Sequence, residues 1–143
     1  MQKIAAVAVA FVLAFTGVVA VPGPAVALDV GQLGQWHYNP ATGNVYRQVN
    51  DLTWEEAEAY AVGVGGHLVT IDDLAEQDWL EATFTDRNLW IGFSDRAVEG
   101  TWMWSSGQPT TYTNWSSGEP NNCTVLCGAP PDSAGEDAAV MNW

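Results

Sequence analysis

Positive charge is scarce in this chain of 143 residues, where four lysines and arginines face seventeen aspartates and glutamates for a formal net charge of −13. A chain so acidic repels nucleic acid and anionic membrane surfaces, so neither is expected as a partner. Histidine is limited to His37 and His67, distant from each other and from the cysteines, and both are read as structural. No Ser-His-Asp set, phosphate-binding glycine loop or redox Cys-x-x-Cys is present, which removes the common routes to an enzyme. Cysteine itself is limited to Cys123 and Cys127, too few for a disulfide framework. There is no internal repeat, and the one compositionally biased stretch is a Gly/Pro/Ser-rich patch near residues 128–135.

Long apolar runs are equally rare. The single example follows Lys3, extends from Ile4 to Ala20, and breaks at Val21-Pro22-Gly23-Pro24 before Ala25-Val26-Ala27. A lone cation, an apolar stretch and a small-x-small exit describe a secretory signal peptide over residues 1–27. The alternative is a membrane anchor, for which the run lies near the lower length limit. Cleavage after Ala27 would release a secreted, extracellular protein with no membrane insertion. It would carry three arginines against seventeen carboxylates, a formal charge of −14.

The remainder is one domain's worth of chain. Its eight tryptophans suggest a small fold plugged with large aromatic side chains. Residues 28–35 read as a short disordered lead. A turn cluster at Asn39-Pro40-Ala41-Thr42-Gly43-Asn44, followed by alternating Val45 to Val49, predicts a β-hairpin over residues 37–49. Thr53-Trp54-Glu55-Glu56 is a capping box for a helix from Trp54 to about Val62, with Trp54, Ala57, Tyr60 and Ala61 on its buried face. Gly63 to Gly66 ends it, and His67 to Ile71 reads as a short strand. A second helix is expected from Asp73 to about residue 84, with a similar Asp73/Glu76 start and with Leu74, Trp79, Leu80 and Phe84 inward. Strands follow at Leu89–Phe93, where Gly92 suggests a close backbone approach, at Thr101–Ser105, and from Ala138 onward.

Oxygen donors are plentiful where regular structure thins out. Glu119 and Asn121 flank Pro120, and Glu136-Asp137 follows fifteen residues after Asn121. Calcium takes six to eight such oxygens, so these loop segments are a candidate cation site. A carboxylate and an amide that each give the ion one oxygen keep an acceptor and a donor for a ligand. That pair suits two neighbouring hydroxyls, as found on sugars. By itself Glu-Pro-Asn is a weak signal that chance can supply in any loop.

Thr53-Trp54-Glu55-Glu56-Ala57, Gly65-Gly66-His67-Leu68, Trp90-Ile91-Gly92, Gly100-x-Trp102-x-Trp104, Asn114-Trp115, Glu119-Pro120-Asn121 and Gly135-Glu136-Asp137 form an ordered set. Together they resemble the C-type lectin-like domain over nearly all of residues 36–143. The resemblance implies an α+β fold with two helices packed on short antiparallel strands and a long loop region. It also implies a primary Ca2+ site that uses Glu119, Asn121 and Glu136 and presents the ion to a mannose-, glucose- or N-acetylglucosamine-type glycan, with a cis bond at Pro120. The family's Trp-Asn-Asp motif, which supplies two more ligands, is absent here. Those ligands and the final strands are therefore expected beyond Trp143.

An auxiliary calcium site of the family maps onto Asp95, Glu99, Glu136 and Asp137, with Asn122 where Asp is more usual. The competing reading is an acidic turn beside an acidic loop. Ala61 and Ala138 occupy positions where the family commonly has cysteines. Cys123 and Cys127 would close a five-residue loop stabilised by only about 2 kcal/mol; free thiols and half a zinc site are the alternatives. Three functions follow: calcium-dependent carbohydrate binding, a protein-binding or adhesion module that keeps the fold alone, and, least favoured, a glycosidase using Glu119 and Glu136.

Overall fold

The structure, a computed structural model of the chain, describes residues 6–10, 33–122 and 136–141. Its elements in order are β1 (Ala6–Ala10), β2 (Leu33–Tyr38), β3 (Val45–Val49), α1 (Trp54–Gly63), β4 (Gly66–Leu68), α2 (Leu74–Thr83), β5 (Leu89–Ser94), β6 (Met103–Trp104) and β7 (Ala138–Met141). The strands form one sheet in the order β2-β3-β1-β5-β6, with β4 also on β1 and β7 also on β5.

The hairpin is antiparallel, with Tyr38 opposite Val45 and His37 opposite Tyr46. The Asn39 carboxamide accepts from the Ala41 amide at 2.9 Å and holds the turn. β2 begins at Leu33, inside the stretch expected as a disordered lead. The ordering cause is Arg47, whose Nε and Nη2 donate to the Gly34 carbonyl at 3.0 and 2.6 Å while its guanidinium covers the Trp36 ring.

α1 starts on the capping box read from the sequence. Thr53 Oγ1 accepts from the Glu56 amide at 3.3 Å, and Glu56 Oε2 accepts from the Thr53 amide at 2.9 Å. Ala57 and Ala61 are fully buried, Trp54 and Tyr60 half-buried, and Trp54 Nε1 donates to the Ile91 carbonyl at 2.8 Å. Glu58 then ties the helix to the sheet: it accepts from the Leu68 amide at 2.8 Å and from Ser105 Oγ at 3.0 Å, and pairs with His67 Nδ1 at 2.7 Å.

α2 departs from expectation at its first turn. Asp73 caps the Glu76 amide at 2.8 Å, but the Glu76 carboxylate does not reach back to Asp73. It turns inward, is only 4% exposed, and accepts from Tyr46 OH at 2.6 Å and the Asp72 amide at 3.0 Å. Glu76, Leu80 and Phe84, four residues apart, make the buried stripe. Leu74, two residues before Glu76, is carried to the opposite side and is 55% exposed, not inward as expected.

The remaining strands are shorter than their apolar runs. β4 ends at Leu68, and the expected Thr101–Ser105 strand shrinks to Met103–Trp104, with Met103 exposed and Trp104 buried. Gly92 explains the crowding between them: a Cβ there would lie 2.8 Å from both the Leu68 carbonyl and Ser105 Oγ. Its own N–H donates to Val69 and its carbonyl accepts from Ser105. The core below joins Tyr46, Leu80, Leu89, Ile91 and Phe93 to Met141 of β7.

The N-terminal apolar segment contributes a central strand. β1 pairs antiparallel with β3 over Ala6–Ala10, antiparallel with β4 over Ala8–Ala10, and parallel with β5 at Ala6.

Burial, ahead of every other influence, pushes the Glu76 carboxyl above its usual range, against the hydrogen bonds from Tyr46 and Asp72 that pull it down. An acid raised in the folded state costs stability while ionised, and that cost is relieved as pH falls through its folded pKa. Glu76→Gln carries no such term. The stability difference between wild type and this variant should therefore move in favour of wild type between pH 7 and pH 5 in urea unfolding. A pH-independent difference would contradict the assignment. Tyr46→Phe leaves Glu76 Oε1 without its donor and should cost about 1–3 kcal/mol at neutral pH.

Candidate functional site

The candidate ligands stand on a platform of stacked rings. Phe93 of β5 lies 4.4 Å from Trp104 and 5.6 Å from both Trp102 and Trp115, and the last two meet edge to face at 4.7 Å. Trp115 anchors the segment that follows. Gly118 takes a positive φ of 96°, and the Glu119 amide donates to the Ser116 carbonyl at 3.0 Å, so the chain turns sharply into Glu119-Pro120-Asn121.

The Glu119–Pro120 peptide is cis. Glu119 and Asn121 face each other: Asn121 Nδ2 donates to Glu119 Oε1 at 2.8 Å and the Asn121 amide donates to Oε2 at 3.1 Å. Glu119, Pro120, Glu136 and Asp137 line the same cleft, whose volume is about 510 Å³. The two loop segments therefore converge, although Asn121 is not among the cleft-lining residues.

Asn122 is the bridge between the acids. In the left-handed region with φ 48°, it donates through Nδ2 to Glu99 Oε1 at 2.5 Å and accepts at Oδ1 from the Glu136 amide at 3.2 Å. Asp95, 4% exposed, receives the Gly100 amide on Oδ2 at 2.9 Å. Its own amide reaches the Asp137 carbonyl at 3.3 Å, and Ser94 Oγ donates to the same carbonyl at 2.6 Å. Asp95, Glu99, Asn122, Glu136 and Asp137 thus form one linked group at the β5 exit. Cys123 and Cys127 lie outside the described residues.

Two buried carboxylate oxygens, Asp95 Oδ1 and Asp137 Oδ1, have no hydrogen-bond partner among the described residues. Shielded anionic acceptors left unpaired are costly, and a hard cation is the chemistry that offsets the cost. Among the described residues no three Asp, Glu, His or Cys side chains gather as a ready metal cage. Among the described residues the donors match calcium in kind and fall short of its shell in number.

Arg96 closes one flank through an ion pair with Glu55 at 2.5 Å, its guanidinium 6.0 Å from the Trp54 ring. The cleft continues past Trp102 and Trp115 to Asn88 and Trp90 at the start of β5. Neither is a candidate site residue from the sequence, where Trp90 stands only as part of the Trp90-Ile91-Gly92 motif. They reach the cleft through the β5–β7 register, which sets Trp90 opposite Val140 and Ser94 opposite Ala138.

The model of the lectin C-type domain family matches residues 50–139, which contain both helices and nearly all of the site. Human C-type lectin domain family 4 member F is 34% identical over 74 residues, covering 52% of this chain and 12% of that protein. The type-2 ice-structuring protein of Brachyopsis segaliensis is 34% identical over 96 residues, covering 64% of this chain and 56% of that one. The chain thus spans between about a tenth and just over half of these relatives' lengths. Among solved structures, the cow C-type carbohydrate-recognition domain of CD23, determined in the presence of a GlcNAc2Man3 oligosaccharide, superposes with a TM-score of 0.53 at 33% identity, covering 63% of each chain. The chain belongs to the C-type lectin domain family, a family of lectin-type domains and not of enzymes.

Proposed function

We propose that this is a secreted module that binds carbohydrate through calcium, using Glu119, Asn121 and Glu136 to hold the ion and to grip the vicinal hydroxyls of a mannose-, glucose- or N-acetylglucosamine-type sugar. The observation that carries the reading is the convergence of Glu119 and Glu136 on one cleft. The unpaired oxygens of Asp95 and Asp137 support a second ion held with Glu99 and Asn122 nearby. The bound ion would supply positive charge to polarise the hydroxyls, while the carboxylates accept and Asn121 donates hydrogen bonds that orient them. Among the described residues protein oxygens alone do not fill calcium's shell, so water or further donors would complete it. The relative determined in the presence of a mannose-containing oligosaccharide points to the same ligand class. Secretion rests on the N-terminal Lys3, its apolar run and the small residues before Leu28.

Retention of the chain on mannose-agarose should require millimolar calcium and should be lost in EDTA. Retention that survives the chelator would overturn the proposal. A second reading, a binding module without sugar recognition, is favoured by the relative named for ice structuring. It predicts a tight partner insensitive to both EDTA and Glu119→Gln.

A further inference from the structure

We propose that a second pocket, on the reverse side of β5 from the loop carboxylates, binds a small organic cation with an aromatic or alkyl body. It needs no calcium and stands apart from the sugar reading.

The pocket follows from strand alternation. Trp90 lines the cleft that holds Glu119 and Glu136, whereas Ile91 and Phe93, out of phase with it, line a different cavity of about 330 Å³ between α2 and residues 112–116. Trp104 and Met141 complete its apolar floor. The volume is at the lower end of what small-molecule sites enclose, and an apolar lining with a few polar groups is their usual make-up. The two cavities share residues 114–116 and 139–140 as a common wall.

The rim is aromatic and negatively charged. Tyr112 and Trp115 present half-buried rings, and Glu81 of α2 is exposed, so all three are open to a ligand. Tyr112 OH donates to Gln77 Oε1 at 2.8 Å and Gln77 Nε2 donates to Glu81 Oε1 at 2.6 Å, a chain of bonds that ties the carboxylate to the ring. Burial, and after it the charges of Asp78, Glu81 and Asp73, push the Tyr112 hydroxyl above its usual range. Among the described lining residues there is no Lys, Arg or His to answer these acids. Glu81 also stands in the last turn of α2, which has no basic residue to offset the carbonyl end of the helix.

These features select one ligand class. A cation is drawn to Glu81 and the helix end, the faces of Tyr112 and Trp115 attract it further, and the floor takes an apolar body. An anion is repelled. A bare metal ion finds one carboxylate where it needs several oxygens.

Titration of the isotope-labelled chain of residues 1–143 in EDTA with benzyltrimethylammonium, neutral N-benzylacetamide and anionic phenylmethanesulfonate, followed by amide NMR shifts, gives both affinity and place. The cation should shift residues 77–81 and 112–116 and bind at least about tenfold more tightly than the neutral probe, with no binding of the sulfonate. Glu81→Gln, at an exposed position, keeps an acceptor for Gln77, and Tyr112→Leu keeps apolar bulk without the ring. Each should weaken the cation about threefold or more and leave the neutral probe unchanged. Shifts centred on residues 119, 136 and 137 would place the cation on the loop carboxylates and overturn the pocket. Equal affinities for the cation and the neutral probe, or a cation affinity that both variants retain, would overturn it as well, and none of these results touches calcium-dependent sugar binding.

Discussion

Glu119→Gln and Glu136→Gln are each expected to weaken calcium-dependent sugar binding by at least about 100-fold, since replacing even an outer-shell partner of a metal costs 10–100-fold. Both substitutions keep the shape of the side chain and remove its charge, the property that sets affinity for a hard cation. The fold should tolerate them. Among the described residues Glu119 is bonded within its own turn, to Asn121, and Glu136 is exposed. Wild type should therefore show a calcium-dependent rise in melting temperature, because ligand that binds only the folded state stabilises it by mass action. In EDTA the variants should melt close to wild type, and on adding calcium they should gain much less. A variant that loses sugar binding but keeps the full calcium shift would place the ion elsewhere, for example at the Asp95–Asp137 pair.

How far the residues disclose this arrangement depends on how local each signal is. The capping box at Thr53 and Glu56, the turn at Asn39–Asn44 and the crowding at Gly92 follow from neighbours in sequence or from the size of one side chain, and each was readable. The α+β class and the C-type lectin fold followed from the ordered motifs, and the family match over residues 50–139 and the structural neighbour agree with both. The second helix starts where the sequence puts it, on an Asp73 cap, but the Glu76 carboxylate has two possible acts, reaching back to Asp73 or meeting Tyr46 thirty residues earlier in the chain, and it takes the second. Only the packed structure chooses between them, and its choice turns Leu74 to solvent. The carboxylates at 119, 136 and 137 were visible as candidates, but their shared cleft, the bridging position of Asn122 and the groove past Trp102 depend on long-range register. No pattern of period 2 or 3.6 encodes that.

Ala8→Pro in the chain of residues 1–143 is expected to destabilise the domain by about 3 kcal/mol or more, a large share of what a small domain possesses. Ala8 is paired on both sides, with Arg47 of β3 and Leu68 of β4, so proline there removes a ladder donor from the interior of the sheet. The neighbours leave little room for repair: Val49 and Leu68 are fully buried and belong to one core cluster with Ala57 of α1. The expectation bears directly on secretion. Cleavage after Ala27 would remove all of β1 and open the facing edges of β3 and β4, exposing backbone groups that a sheet interior otherwise satisfies. A chain beginning at Leu28 should therefore lose more stability than the proline variant and show fast amide exchange along Val45–Val49, where β1 pairs. Adding a peptide of residues 4–12 should slow that exchange if the gap accepts a strand in trans. Exchange at Val45–Val49 as slow in the shortened chain as in the full one would remove the N-terminal strand from the stable fold, and the signal-peptide reading would then stand without conflict.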